Sequence, residues 1–196
     1  MTENERIDLM LSFMKLPSGI PLLTANATDW LRNNGFFTAP ASASHHGNYE
    51  GGLFDHSLAV AHALVYMTEN LDLEWKNPRS PYLVGMFHDL CKIDQYRHPF
   101  GEIEFRSPTG ETECHVDTTR WEYNPDVTLS GHGDKSVMLL SQLYRLTDEE
   151  IMCIRYHMGA FTDKKEWAYY TRAVQQYRNV LYTHTADMLA SQVAGV

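Results

Sequence analysis

His88 and Asp89 sit side by side in the stretch Gly85-Met86-Phe87-His88-Asp89-Leu90-Cys91-Lys92-Ile93-Asp94, an otherwise apolar helical run. Neighbouring residues on a helix point about 100° apart, so one apolar face cannot hide both. At least one of the pair must face a polar centre. A buried carboxylate is costly unless a cation compensates it. A divalent metal ion is such a cation, and it accepts imidazole nitrogen and carboxylate oxygen together. The plainer alternative is a satisfied core histidine beside a surface aspartate. The dipeptide by itself does not separate the two.

Other segments repeat the pattern. His56 follows a glycine-rich loop, His132 stands between Gly131 and Gly133, and His157 closes an apolar run with Ile151 and Ile154. Asp187 lies among Ala186, Met188 and Leu189. Each has a bland explanation as a core or surface residue, but together they favour a shared metal centre that uses several of the chain's 10 histidines. Mixed imidazole and carboxylate ligands suit one or two ions of Mn, Fe, Co, Ni or Zn, with Mg admissible where phosphate helps. Such a centre acidifies water towards hydroxide and polarises oxygens bound to it, which is the chemistry of metal-assisted hydrolysis.

The elements that must position these residues are mainly helical. Residues 5–16 carry a broad apolar face that ends at Pro17-Ser18-Gly19. A short helix through Trp30 and Leu31 is expected with Asn26 or Thr28 as its cap. An ordered loop follows over residues 36–44. Asp55 or a neighbour opens a helix to about Asn70, which puts His56 in its first turn and Leu58, Ala61, Val65 and Met67 in the core. His62 falls off that face and reads as structural. Ser80-Pro81 opens the helix of His88 and Asp89. Residues 96–128 alternate apolar and polar around Ser107-Pro108-Thr109-Gly110, the pattern of an inserted β-hairpin. Helices return after Gly131. Thr147 with Glu150 forms a capping box for the helix that reaches His157. Two more helices cover roughly residues 166–177 and 179–194, the last with Val180, Leu181, Ala186, Leu189 and Val193 inward.

Composition bounds the reading. A chain of 196 residues suffices for one domain spanning 1–196 with a proper core. The net charge of −9 and the lack of a basic stripe disfavour a grip on long nucleic acid and favour a small substrate. No apolar run is long enough for a membrane span. The start, Met1-Thr2-Glu3-Asn4-Glu5-Arg6, has no basic and apolar secretion pattern, and Cys91, Cys114 and Cys153 form no CxxC pair. A cytoplasmic protein with reduced thiols is expected.

The order His56, His88-Asp89, His132, His157, Asp187 resembles the HD-domain superfamily of metal-dependent phosphohydrolases, in its six-ligand H…HD…H…H…D branch. Gly51-Gly52-Leu53-Phe54-Asp55-His56-Ser57 is similar to the family's first-ligand segment. Phe87-His88-Asp89-Leu90-Cys91-Lys92-Ile93 is similar to its HD-x-x-K segment. The resemblance covers about residues 36–191 and implies a mainly α, HD-like helical bundle carrying the inserted hairpin. It also implies that His56, His88, Asp89 and Asp187 hold one ion. His132 and His157, with Asp89 shared, would hold a second. Lys92, by the same resemblance, orders the carboxylate or touches phosphate.

Two further contacts come from position alone. Lys135, near a helix N-terminus, is a candidate phosphate contact. His46, before the glycine-rich loop, is a candidate substrate contact, against the plainer reading of a surface loop histidine. The expected function is hydrolysis of a phosphoester in a nucleotide or related small molecule, with Asp89 and Lys92 as the catalytic pair. A 3′-to-5′ exonuclease on single-stranded nucleic acid is the enzymatic alternative. A non-catalytic nucleotide sensor is the alternative of another class.

Overall fold

The chain enters through α1 (Glu3–Phe13), where Thr2 and Glu5 close a capping box. The computed structural model describes residues 1–102 and 114–196. From α1 the buried Arg6 reaches across to the carbonyls of Phe37 and Glu50, at 3.3 and 3.0 Å, and pins the loop that leads to the site. The second helix, α2 (Ala25–Asn33), is capped by Thr24, whose side chain accepts from the backbone N–H of Ala27. It therefore starts earlier than a cap at Asn26 or Thr28 would allow. The following loop is ordered, as expected, because Phe36 and Phe37 are fully buried and pack with Phe54 and Phe87.

The long helix α3 (Gly52–Asn70) begins three residues before Asp55, because Gly51 takes the left-handed conformation and serves as its N-cap. His56 is thus in the second turn, not the first, and Asp55 instead pairs with Arg6 and accepts from Tyr49. Val60 and Leu64 are fully buried, while Leu58 and Val65 are only half-buried, so the core stripe is rotated from the expected one. Ala61 and Met67 are in the core as expected. His62 packs on Phe13 instead, with ring centroids 4.3 Å apart.

Helix α4 (Ser80–Phe87) lies against α3. A Cβ on Gly85 would stand 2.5 Å from Ala61 Cα, so only glycine lets the two backbones approach this closely. The α-helix stops at Phe87, and a 3₁₀ turn over Leu90–Ile93 carries the chain on. That tighter coil superimposes side chains three residues apart, and Lys92 stands beside Asp89.

The strands form nested antiparallel pairs. β1 (Tyr96–Arg97) pairs with β4 (Glu122–Tyr123), and β2 (Phe100–Glu102) with β3 (Cys114–Val116). The expected hairpin is present, but Phe100, Val116 and Tyr123 are exposed rather than turned into a core. Ile103, Phe105 and the expected turn at 107–110 lie outside the described residues.

Helix α5 (His132–Leu140) packs on α6 (Asp148–Arg155), again through a glycine: a Cβ on Gly133 would meet Arg155 O at 2.2 Å. The capping box of Thr147 and Glu150 is formed. His157 falls just beyond the end of α6, not within it. After α7 (Trp167–Gln176), α8 (Asn179–Met188) brings in Asp187 and passes into a π-helical turn over Leu189–Ala194. The wider π turn shifts the register, which leaves Leu189 and Val193 exposed rather than inward. Leu181 also faces out, while Val180 and Ala186 are buried. Among the described residues the framework is eight α-helices, and no helix is long and apolar enough to cross a membrane.

Candidate metal centre

Asp89 and five further side chains, from five segments in all, form one cluster. The two oxygens of Asp89 face different neighbours. Oδ2 lies 3.5 Å from His56 Nε2 and 3.6 Å from His88 Nε2. Oδ1 lies 2.7 Å from His132 Nε2 and 3.2 Å from His157 Nε2. Asp187 joins the first group, its Oδ1 3.3 Å from His56 Nε2. His56, His88, Asp89 and His157 are buried, and Asp187 and His132 open towards a cleft. The ligand atoms of His56, His88 and Asp187 all lie within 4.8 Å of one another, as do those of His88, Asp89 and His157.

The backbone sets the orientation of three imidazoles. Nδ1 of His88 donates to Gly85 O at 2.8 Å, and Nδ1 of His157 to Ile154 O at 2.6 Å. His56 Nδ1 donates to Val196 O at 2.9 Å. A ring whose Nδ1 carries the donated proton presents Nε2 to the interior, the arrangement of metal-ligating histidines.

That arrangement leaves the buried His157 Nε2 without a hydrogen bond, and it faces Asp89 Oδ1, whose nearest neighbour is His132 Nε2 at 2.7 Å. With the His157 proton on Nδ1, two lone pairs face each other across 3.2 Å. Such a contact calls for a cation between them. The donor set, imidazole nitrogens with carboxylate oxygens, fits a borderline divalent ion, and the disposition about Asp89 fits two.

Charge in the metal-free cluster is organised around the same atoms. Burial opposes a charge on His56, but Asp187 and Asp89 outweigh it and raise the imidazole to about 9. Burial drives His88 down to about 3 against the pull of Asp89. Burial also opposes the charge on Asp89, yet Lys92, His88 and His132 hold its carboxyl well below the usual range. Asp187 falls to about 2, with His56 overcoming the effect of burial. Without metal, a proton on His56 therefore takes the place of the cation between the two carboxylates.

The other expected residues divide. Lys92 is buried, its Nζ 2.6 Å from Asp89 Oδ2, and it lines the cleft. His46 lines the same cleft, its ring centroid 5.2 Å from that of His56. Lys135 does not line it. It is buried in a neighbouring recess, where its ammonium is paired with Asp94. The cleft, of about 470 Å³, is walled by Tyr96 and Tyr123 at the base of the strands and by Phe161 and Met188.

His184 also borders the cleft, and its Nδ1 donates to His157 O at 2.7 Å. Sequence reading missed it. Its spacing of three residues from Asp187 on one helix was the available signal. Cys91, read only as a reduced thiol, lies with its sulfur 3.4 Å from His132 Nδ1, and burial pushes that thiol up to about 12. In comparisons with known proteins, the chain matches no family model, no curated protein and no solved structure.

Proposed function

We propose that this chain is a metal-dependent phosphohydrolase of the HD type, acting on a phosphoester in a nucleotide or related small molecule. The observation that carries the reading is the double engagement of Asp89, with His56 and His88 at one oxygen and His132 and His157 at the other. His56, His88, Asp89 and Asp187 would hold one ion, and Asp89, His132 and His157 the other. Bound ions supply Lewis acidity towards phosphate oxygens and acidify water for attack at phosphorus.

The chain's own residues do the rest. Lys92 keeps Asp89 ionised and brings positive charge to the floor of the cleft. That charge favours an incoming phosphate in a protein whose net charge is −9. His46 stands beside the first group and is suited to donate to a phosphate oxygen. Tyr96, Tyr123 and Phe161 offer aromatic wall to the remainder of the substrate. A cleft of about 470 Å³ is the size of a small-molecule site.

The test is elemental analysis of protein purified without a histidine tag, followed by a panel of phosphatase and nucleotidase substrates with each candidate metal added. We expect bound transition metal and turnover of at least one phosphoester. Asp89→Asn should abolish both. Full turnover by that variant would remove the mechanism. Laddered degradation of a labelled oligonucleotide, weakening with salt, would transfer the reading to an exonuclease. Tight nucleotide binding without turnover in any metal would transfer it to a sensor.

A further inference from the structure

The two halves of the centre are not anchored alike. His88 and His157 each donate Nδ1–H to the carbonyl three residues back, and His56 donates to a main-chain oxygen of Val196, so all three acceptors are oxygens. The Nδ1 of His132 has the sulfur of Cys91 instead, at 3.4 Å. Sulfur is a weak acceptor. His132 is also the most exposed of the four rings, with 28% of its side chain accessible.

The sulfur is nonetheless held firmly in place. The backbone N–H of Cys91 donates to Ser136 Oγ at 3.0 Å, and that hydroxyl donates to His132 O at 3.2 Å. Ser136 and Cys91 are both buried. A single hydroxyl thus ties the 3₁₀ turn of Cys91 to the first turn of α5. The tie presses the thiol against the imidazole. When His132 Nε2 gives its lone pair to an ion, the ring proton must sit on Nδ1, and Cys91 Sγ is the atom positioned to receive it.

We infer that Cys91 is a positioning residue for His132, and that it sets how tightly the ion between Asp89, His132 and His157 is held. This rests on the two-ion reading above. The ion at His56, His88 and Asp187 does not depend on Cys91, because none of its imidazoles leans on that sulfur. The second ion is accordingly the weaker and more exchangeable of the two.

Metal-free protein titrated with Mn²⁺, with free ion followed by electron paramagnetic resonance, reads both affinities without any assay of turnover. Wild type should take up two ions with distinct affinities. Cys91→Ala should weaken the second by about 10–100-fold, the usual effect of losing a ligand's orienting partner, and leave the first unchanged. Cys91→Ser, with an oxygen acceptor at the same place, should return the second affinity towards the wild-type value. If Cys91→Ala does not fold, Cys91→Val takes its place. An unchanged second site in the apolar variant would overturn the inference. Equal weakening of both sites, or failure of serine to restore the second, would overturn it as well. Uptake of one ion by wild type overturns this inference and leaves a one-metal phosphohydrolase standing, whereas uptake of none removes both.

Discussion

Lys92 Nζ lies 2.6 Å from Asp89 Oδ2, and both side chains are buried. The 3₁₀ turn brings them together, and among the described residues the ammonium is the lysine or arginine charge paired with that carboxylate. Removing one partner of a buried pair leaves the other uncompensated, at about 3–5 kcal/mol. Lys92→Met should lower the stability of chelator-treated protein by about that amount in urea unfolding. Added Mn²⁺ should recover part of the loss, because an ion bound to the folded state restores positive charge beside Asp89. Unchanged metal-free stability would show that Lys92 does not compensate the carboxylate.

Two of the candidate ligands give the metal-free protein a pH optimum. His56 rises from 6.5 in the unfolded chain to about 9 in the fold, so its contribution is complete below pH 6.5 and is lost as pH climbs through 9. His88 falls from 6.5 to about 3, so stability is lost as pH drops below 6.5 towards 3. Asp187, lowered from 3.8 to about 2, adds a further loss as pH falls through that window. Thermal unfolding in chelator across pH 4–10 should peak near pH 6.5. At neutral pH, uptake of the first ion should displace the His56 proton, seen as heat that depends on the ionisation enthalpy of the buffer. A flat stability profile would contradict both shifts.

Each half of the centre should be separable by mutation. His132→Ala removes contacts to Asp89 Oδ1 and Cys91 Sγ and none to Asp89 Oδ2, so one ion should remain bound. His56→Ala removes a contact to Asp187 and to Asp89 Oδ2, so the retained ion should be the other one. Mn²⁺ uptake by each variant and by the double variant measures this. Loss of both ions in His132→Ala would mean that the two positions are not independent.

Gly85→Ala tests the packing that delivers the HD pair. The added Cβ would lie 2.5 Å from Ala61 Cα, where backbone must move. Overpacking of this kind costs about 1–3 kcal/mol. Because Gly85 O also accepts from His88 Nδ1, metal affinity should fall along with the unfolding midpoint. Loss of stability with unchanged metal affinity would show that the helix contact does not govern the site.

Much of the helical framework could be read from local chemistry. The Thr147–Glu150 capping box and the Ser80-Pro81 start are short-range signals, and the structure contains both, whereas α1 runs Glu3–Phe13 and ends short of the expected stop at Pro17. Errors arose where a backbone conformation or a distant partner decides. Gly51 in the left-handed region moved the start of α3, and the π turn after Met188 turned Leu189 and Val193 outward. Lys135 looked like a phosphate contact from its place near a helix start. Asp94, far from it in the chain, instead occupies its ammonium.

The sequence alone determined that histidines and aspartates recur in apolar helical segments, because residue type and helical period are local properties. It also marked Lys92 for Asp89 at a spacing of three. Only the tertiary structure decided that Asp89 presents one oxygen to His56 and His88 and the other to His132 and His157. It alone revealed Cys91 behind His132 and His184 behind His157. The physical reason is that coordination geometry depends on ångström-scale approach between helices. Here that approach is set by Gly85 against Ala61 and Gly133 against Arg155, contacts between residues that no local pattern connects.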